Sequence, residues 1–182
     1  PLPLFLEMVR QLAASEPQAA ARALQGLVRY ETARRGPPLP PRPVAAEHEG
    51  VALRSCGGEG APVILVPSLI NPPSVLDLSP QRSLLRWLAG QGHGVLLVDW
   101  GRPDTARQKL SVAGHVEQIL VPLLRTLGDR PALVGYCLGG TMALAAAALT
   151  PVHGVATIAA PWRFAGFPDD ARQRLAALWA AS

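Results

Sequence analysis

The order of residues 131–148, P-A-L-V-G-Y-C-L-G-G-T-M-A-L-A-A-A-A, constrains the fold more than any other stretch. Residues 132–136 have the length and bulk of a buried strand, and residues 141–149 are strong helix formers. Between them stands Gly135-x-Cys137-x-Gly139, the pattern of a nucleophile elbow with cysteine where serine is usual. Such a turn holds its nucleophile in a strained backbone conformation. Side chains two residues to either side would strike the neighbouring strand and helix. Gly140 gives further room where the helix leaves the turn. A helix N-terminus favours the thiolate of a cysteine placed there. The Leu138 N–H would point to where a tetrahedral oxyanion forms. The competing reading is a buried structural cysteine in a strand-to-helix turn; the strand, helix and doubled glycine favour the elbow.

The chain has 182 residues, enough for one sizeable core, and is 49% hydrophobic and 16% charged, which marks it as globular. The net charge of +4 comes almost entirely from arginine. These arginines are scattered without aromatic interleaving, so they read as solvated surface, not as a nucleic-acid face. Two cysteines, Cys56 and Cys137, make no disulfide framework. Cys56, in S-C-G-G, reads as an incidental thiol. No apolar run approaches the ~20 residues of a membrane span and no secretory signal precedes the first helix, which predicts a cytoplasmic protein.

Residues 3–14 carry apolar positions at helical spacing, and Ser15-x-x-Gln18 with Pro17 predicts a capping box opening a second helix to about Ala33. Residues 1–35 thus form a helical hairpin, and residues 36–45, G-P-P-L-P-P-R-P and two more, a stiff linker. From residue 46 to 182 the pattern is α/β. Strands are predicted over residues 51–55, 63–66, 94–99, 132–136 and 155–159. Ser79 and Pro80 are expected to open a helix reaching Gly90, and a helix over 111–127 should kink at Pro122. A last helix is expected over 171–181. Apolar strands alternating with helices imply a mostly parallel sheet with helices on both faces.

Three stretches together resemble the polyhydroxyalkanoate synthases: V-P-S-L-I-N-P-P-S-V-L-D-L at residues 66–78, G-V-L-L-V-D-W-G-R-P-D at 94–104 and G-Y-C-L-G-G-T at 135–141. The likeness spans about residues 51–167 and is nearest the short-chain, two-subunit class. It implies an α/β-hydrolase fold and polymerisation of (R)-3-hydroxyacyl-CoA with release of CoA, through an acyl-enzyme on Cys137. A thiolate attacking a thioester makes another thioester, so the acyl group stays activated for the next monomer's hydroxyl. The resemblance implies Leu138 as one oxyanion donor. The second should come from the loop after the first central strand. Pro72 and Pro73 lack N–H groups, which leaves Leu69, Ile70 or Asn71, and the family match favours Ile70. Gly135, Gly139 and Gly140 are the elbow glycines. No cofactor or metal is implied beyond acyl-CoA as substrate. A polyester product, a homodimer or second synthase subunit, and a cytoplasmic or granule-associated location follow from the same resemblance.

One departure shapes the expectation. In this fold the acid and histidine of a triad follow the nucleophile in sequence. His48, His93 and His115 precede Cys137, and His153 falls at the start of the next strand. Asp77 and Asp99 match family positions but read as structural, and Asp169 and Asp170 as helix-start residues. The chain is therefore expected to be the N-terminal part of a longer protein, stopping before the cap, last strands, acid and histidine. Two alternatives stand beside the synthase reading: a hydrolase of esters or thioesters on the same elbow, and a non-catalytic truncated member acting as a granule-associated or partner-binding protein.

Overall fold

A computed structural model describes residues 2–34, 36, 39–163, 166 and 168–181. They fall into two compact units, Leu39–Trp162 and a helical unit of Pro1–Pro38 with Arg163–Ser182. The helical unit holds α1 (Leu2–Ser15), α2 (Pro17–Thr32) and α7 (Asp169–Ala181), with α7 against α1. The capping box expected at Ser15 does not form. Ser15 Oγ donates back to the Leu12 carbonyl at 3.4 Å, and Glu16 takes the cap position without a side-chain bond. Pro17 then opens the helix as expected, since its missing N–H is one the first turn cannot use. In the proline-rich stretch, Arg35, Pro37 and Pro38 lie outside the described residues.

The larger unit is a six-stranded sheet in the order β1-β2-β6-β3-β7-β8. Its strands are β1 (Val44–His48), β2 (Val51–Ser55), β3 (Pro62–Val66), β6 (Gly94–Asp99), β7 (Ala132–Tyr136) and β8 (Gly154–Ile158). The β6, β3, β7 and β8 strands run parallel, whereas β1 and β2 form an antiparallel hairpin on the β6 edge. Alternation along β3 feeds both faces. Ile64 and Val66 enter a core beneath the helices of residues 112–125 and 138–149, and Val63 and Leu65 one beneath the helix of residues 84–90. All four are buried, as a strand covered on both sides requires.

Two helices differ from the sequence expectation. Residues 77–83 form a short hairpin, β4 (Asp77–Ser79) with β5 (Arg82–Ser83), and α3 (Leu84–Gly90) begins only after it. Ser79 Oγ accepts the Arg82 amide inside that turn, and Ser83 Oγ is the cap, accepting the Arg86 amide at 3.1 Å. The helix from Val112 to Arg125 is interrupted where a kink is expected: α4 (Val112–His115) passes through a π-turn over Val116–Leu120 into α5 (Val121–Arg125). Pro122 has no N–H for the Gln118 carbonyl. His48 supplies the missing partner, its Nε2 lying 3.0 Å from that oxygen.

Buried polar groups tie the C-terminal edge of the sheet. Arg107 is almost wholly buried and carries its guanidinium against three carbonyls, those of Glu49, Gly50 and Trp100. Asp77 pairs with Arg42 at 2.7 Å and Asp99 with Arg54 at 2.5 Å. Both aspartates are thereby structural, as the sequence reading has them. Burial pushes the Asp77 carboxyl up, but Ser83, Arg42 and Arg86 beside it outweigh burial and hold it below the usual carboxylate range.

Candidate active site

Cys137 stands between the end of β7 and α6 (Leu138–Leu149), at the C-terminal edge of the parallel strands. Its backbone has φ 53° and ψ −129°, a conformation that side-chain-bearing residues rarely adopt. Such strain persists only where the surroundings over-determine it. Here the Cys137 amide donates to the Ile158 carbonyl on β8 at 2.9 Å, and its carbonyl accepts the Gly140 amide at 2.8 Å. The helix starts at Leu138, three residues before the predicted segment, because the turn itself delivers the chain in helical geometry.

Close approach, and not backbone freedom alone, dictates the glycines. A Cβ at Gly135 would land on Gly140 Cα; one at Gly139 would land on the Val66 carbonyl oxygen and 2.6 Å from that of Pro67. One at Gly140 would meet Ala160 Cβ at 2.6 Å. The elbow is thus wedged between the end of β3 and the segment after β8. Thr141 adds a peg, its Oγ1 donating to the Pro161 carbonyl at 2.6 Å.

The loop after β3 carries the candidate second oxyanion donor. Its position is fixed by Trp100, whose buried indole Nε1–H donates to the Pro67 carbonyl at 2.9 Å. Ile70, the residue that the family match favours, has its amide occupied within its own loop, donating to Ser68 Oγ at 3.2 Å. Its side chain is 80% exposed. The Leu69 amide has no partner among the described residues, and the Leu69 side chain packs against the same core as that of Leu138. At Leu138, the first helical position, the N–H has no acceptor within the helix.

Three of the four histidines, His48, His93 and His153, lie away from the elbow. His153 is bound through its amide to Pro131, at the far end of β7, six residues of extended chain or ~20 Å from Cys137. His93 precedes β6 at that same far edge, where Gly94 pairs with Pro62. His48 lies on β1, four strands from β7, or ~19 Å across the sheet. His115 is buried edge-on against Trp100, ring centroids 6.2 Å apart, with Nδ1 donating to the Ser111 carbonyl. Cys56 is equally uninvolved: it follows β2, its Sγ faces the Arg54 carbonyl, and burial pushes its thiol up to about 11.

Ser68, Trp100 and Thr141 are the site residues that sequence reading passes over. Each lies inside a quoted stretch, V-P-S, D-W-G and G-G-T, and a search for hydroxyl and indole groups needing partners at a strand end would single them out.

The sequence profile of the Alpha/beta hydrolase family matches residues 63–182. The chain is 35% identical over 109 residues to a poly(3-hydroxyalkanoate) polymerase subunit PhaC of Haloarcula marismortui, covering 57% of this chain and 23% of that protein. It is 32% identical over 138 residues to the subunit of that name in Allochromatium vinosum, covering 69% of this chain and 39% of the relative. The chain therefore spans well under half the length of these relatives. Among solved structures, MGS-MChE2, an alpha/beta hydrolase enzyme from a lagoon-sediment metagenome, superimposes with a TM-score of 0.53 at 18% identity, covering 72% of this chain and 56% of that one. That likeness concerns the fold. No described helix is long and apolar enough to cross a membrane.

Proposed function

Because the chain belongs to the alpha/beta hydrolase family, we propose that it carries the nucleophile of an acyltransferase of the polyhydroxyalkanoate synthase type. The observation that carries this reading is a cysteine, not a serine, at the strained elbow, in a core similar to that of poly(3-hydroxyalkanoate) polymerases. The Cys137 thiolate attacks the carbonyl carbon of a 3-hydroxyacyl-CoA. A new C–S bond forms to Cys137, the C–S bond to CoA breaks, and the CoA thiolate leaves and takes up a proton. The acyl group remains a thioester, so the hydroxyl of a second acyl unit can attack it. The new C–O bond forms as the C–S bond to Cys137 breaks, the hydroxyl proton is released to balance the one taken up by CoA, and the Cys137 thiolate returns. Oxyanion stabilisation comes from the Leu138 amide and an amide of the loop after β3. Acyl-CoA is the substrate, a polyester the product, and a cytoplasmic granule surface the place of action.

The test is direct. The protein is incubated with 3-hydroxybutyryl-CoA, and the Cys137 and Cys56 peptides are weighed by mass spectrometry. One 3-hydroxybutyryl group should appear on Cys137, vanish in Cys137→Ala and persist in Cys56→Ala. Equal loss in both variants would refute the assignment. Acylation followed by release of free acid, with no oligomer formed in the complete enzyme, would identify a thioester hydrolase instead.

A further inference from the structure

We propose that Ser68 is a positioning residue: its buried hydroxyl engages the Ile70 amide and thereby leaves the Leu69 amide as the second donor to the acyl oxyanion. The inference rests on Cys137 being an acylated nucleophile, and it goes beyond that reading by assigning the donor and the group that selects it.

Pro67, Pro72 and Pro73 have no amide and Ser68 has no exposed surface from which to present one, which leaves the amides of Leu69, Ile70 and Asn71. Ser68 has no exposed surface, yet its Oγ makes one contact, accepting the Ile70 amide at 3.2 Å. Among the described residues its own proton has no acceptor. A buried hydroxyl is a poor choice for packing alone, since unpaired polar groups are costly there. Its geometry is that of a hydroxyl-closed turn, which fixes the direction of the peptide planes it spans. With the Ile70 N–H turned toward Ser68, the Leu69 and Asn71 N–H groups are left without a partner among the described residues, and of these two residues Asn71 is exposed.

The neighbours of Leu69 are held more firmly than those of Ile70. Upstream, the Pro67 carbonyl is held by Trp100 and lies where a Cβ on Gly139 would strike it. This places the start of the loop directly against the first turn of α6. The Leu69 side chain packs against the core that also receives Leu138, whereas the Ile70 side chain is largely in solvent. A donor must be preorganised to stabilise an oxyanion, and of the three amides only that of Leu69 is both unoccupied and anchored by a side chain packed against the core.

Two measurements test this. Amide hydrogen exchange by NMR on the free protein should show Ile70 protected relative to Leu69, with that protection lost in Ser68→Ala. Single-turnover acylation of Cys137 is then followed with two acyl donors, 3-hydroxybutyryl-CoA and p-nitrophenyl butyrate. Ser68→Ala should slow acylation at saturation by about tenfold, the worth of one hydrogen bond, with the half-saturating concentration unchanged. Replacing the Leu69 amide by an ester linkage should slow it by ~10²-fold, as loss of an oxyanion donor does. An unprotected Ile70 amide, an unchanged or faster rate in Ser68→Ala, or indifference to the Leu69 ester would each overturn the proposal. Wild-type acylation by the aryl ester but not by the CoA thioester would refute the synthase reading while still measuring the Ser68 effect. Acylation by neither donor would overturn both.

Discussion

Trp100 and Gly139 meet the same carbonyl. The indole Nε1–H of Trp100 donates to Pro67 O at 2.9 Å, and the missing side chain of Gly139 leaves the space into which that oxygen fits. One atom thus joins the end of β6, the loop after β3 and the first turn of α6. Trp100 is itself held from behind, since Arg107 donates to its carbonyl. The relative placement of Cys137 and the loop amides is consequently a property of the sheet edge, and not of either loop alone.

Trp100→Phe keeps an aromatic ring and deletes the bond. The Pro67 carbonyl, in a buried residue, would lose its donor, which costs about 1–3 kcal/mol. Stability to urea should fall by that amount. Acylation of Cys137 by p-nitrophenyl butyrate should slow, while alkylation of the same thiol by iodoacetamide, which needs no oxyanion donor, should not. A parallel fall in both reactions would mean that the variant disturbs the elbow itself, and not the loop.

Glycine substitutions should have opposite signs at two positions. Gly139→Ala drives a methyl group into the backbone oxygens of Val66 and Pro67, neither of which is the movable end of a side chain. Overpacking of this kind costs about 1–3 kcal/mol or more, so the variant should unfold early or fail to fold. Gly26 lies within α2, and a methyl group added there would meet nothing within 4 Å. Gly26→Ala should therefore stabilise by about 0.5–1 kcal/mol. Thermal melts of the two variants check both signs.

The elbow is readable from sequence because its constraint is local. Gly135, Gly139 and Gly140 are needed by a turn whose geometry follows from a strand, one residue at positive φ and a helix in immediate succession. The apolar strands β3, β6 and β7 are equally plain, since burial on both faces removes the polar alternation that a half-exposed strand shows. Ser79 illustrates where local reading stops. Its sequence, Ser79-Pro80 before an apolar run, is a good helix start, yet the Asp77–Ser83 pairing draws those residues into a hairpin and passes the cap to Ser83. Asp77 is held there by Arg42, thirty-five residues away, a contact that no spacing rule contains. The β1 strand escapes sequence reading for a related reason: Val44–His48 is largely exposed on the sheet edge, so it lacks an apolar signature, and its partner β2 defines it. At the site, the strand-turn-helix is legible and the loop is not, because Ile70 and Leu69 are distinguished by where the Ser68 hydroxyl turns and by which side chain reaches the core.

The Cys56 thiol should resist labelling until the pH is high. Burial holds the Cys56 thiol neutral up to about 11, against an ordinary value of 9.0, with Arg42 lowering it and Asp77 raising it to lesser extents. Iodoacetamide reacts with the thiolate. In the folded protein at about pH 8, labelling of Cys56 should therefore be slow. Labelling of Cys56 should emerge only as the pH approaches 11, whereas in denaturant both cysteines should label together at the lower pH. The same shift carries a stability consequence. The folded-state value lies above the unfolded one, so the contribution of the neutral buried thiol is present below about 9 and is lost as the pH rises through 11. Cys56→Ala should accordingly flatten the alkaline decline in stability between those values. Labelling of Cys56 in the folded protein near pH 8, at a rate matching Cys137, would show that its burial is not maintained in solution and would remove the basis for treating it as a bystander.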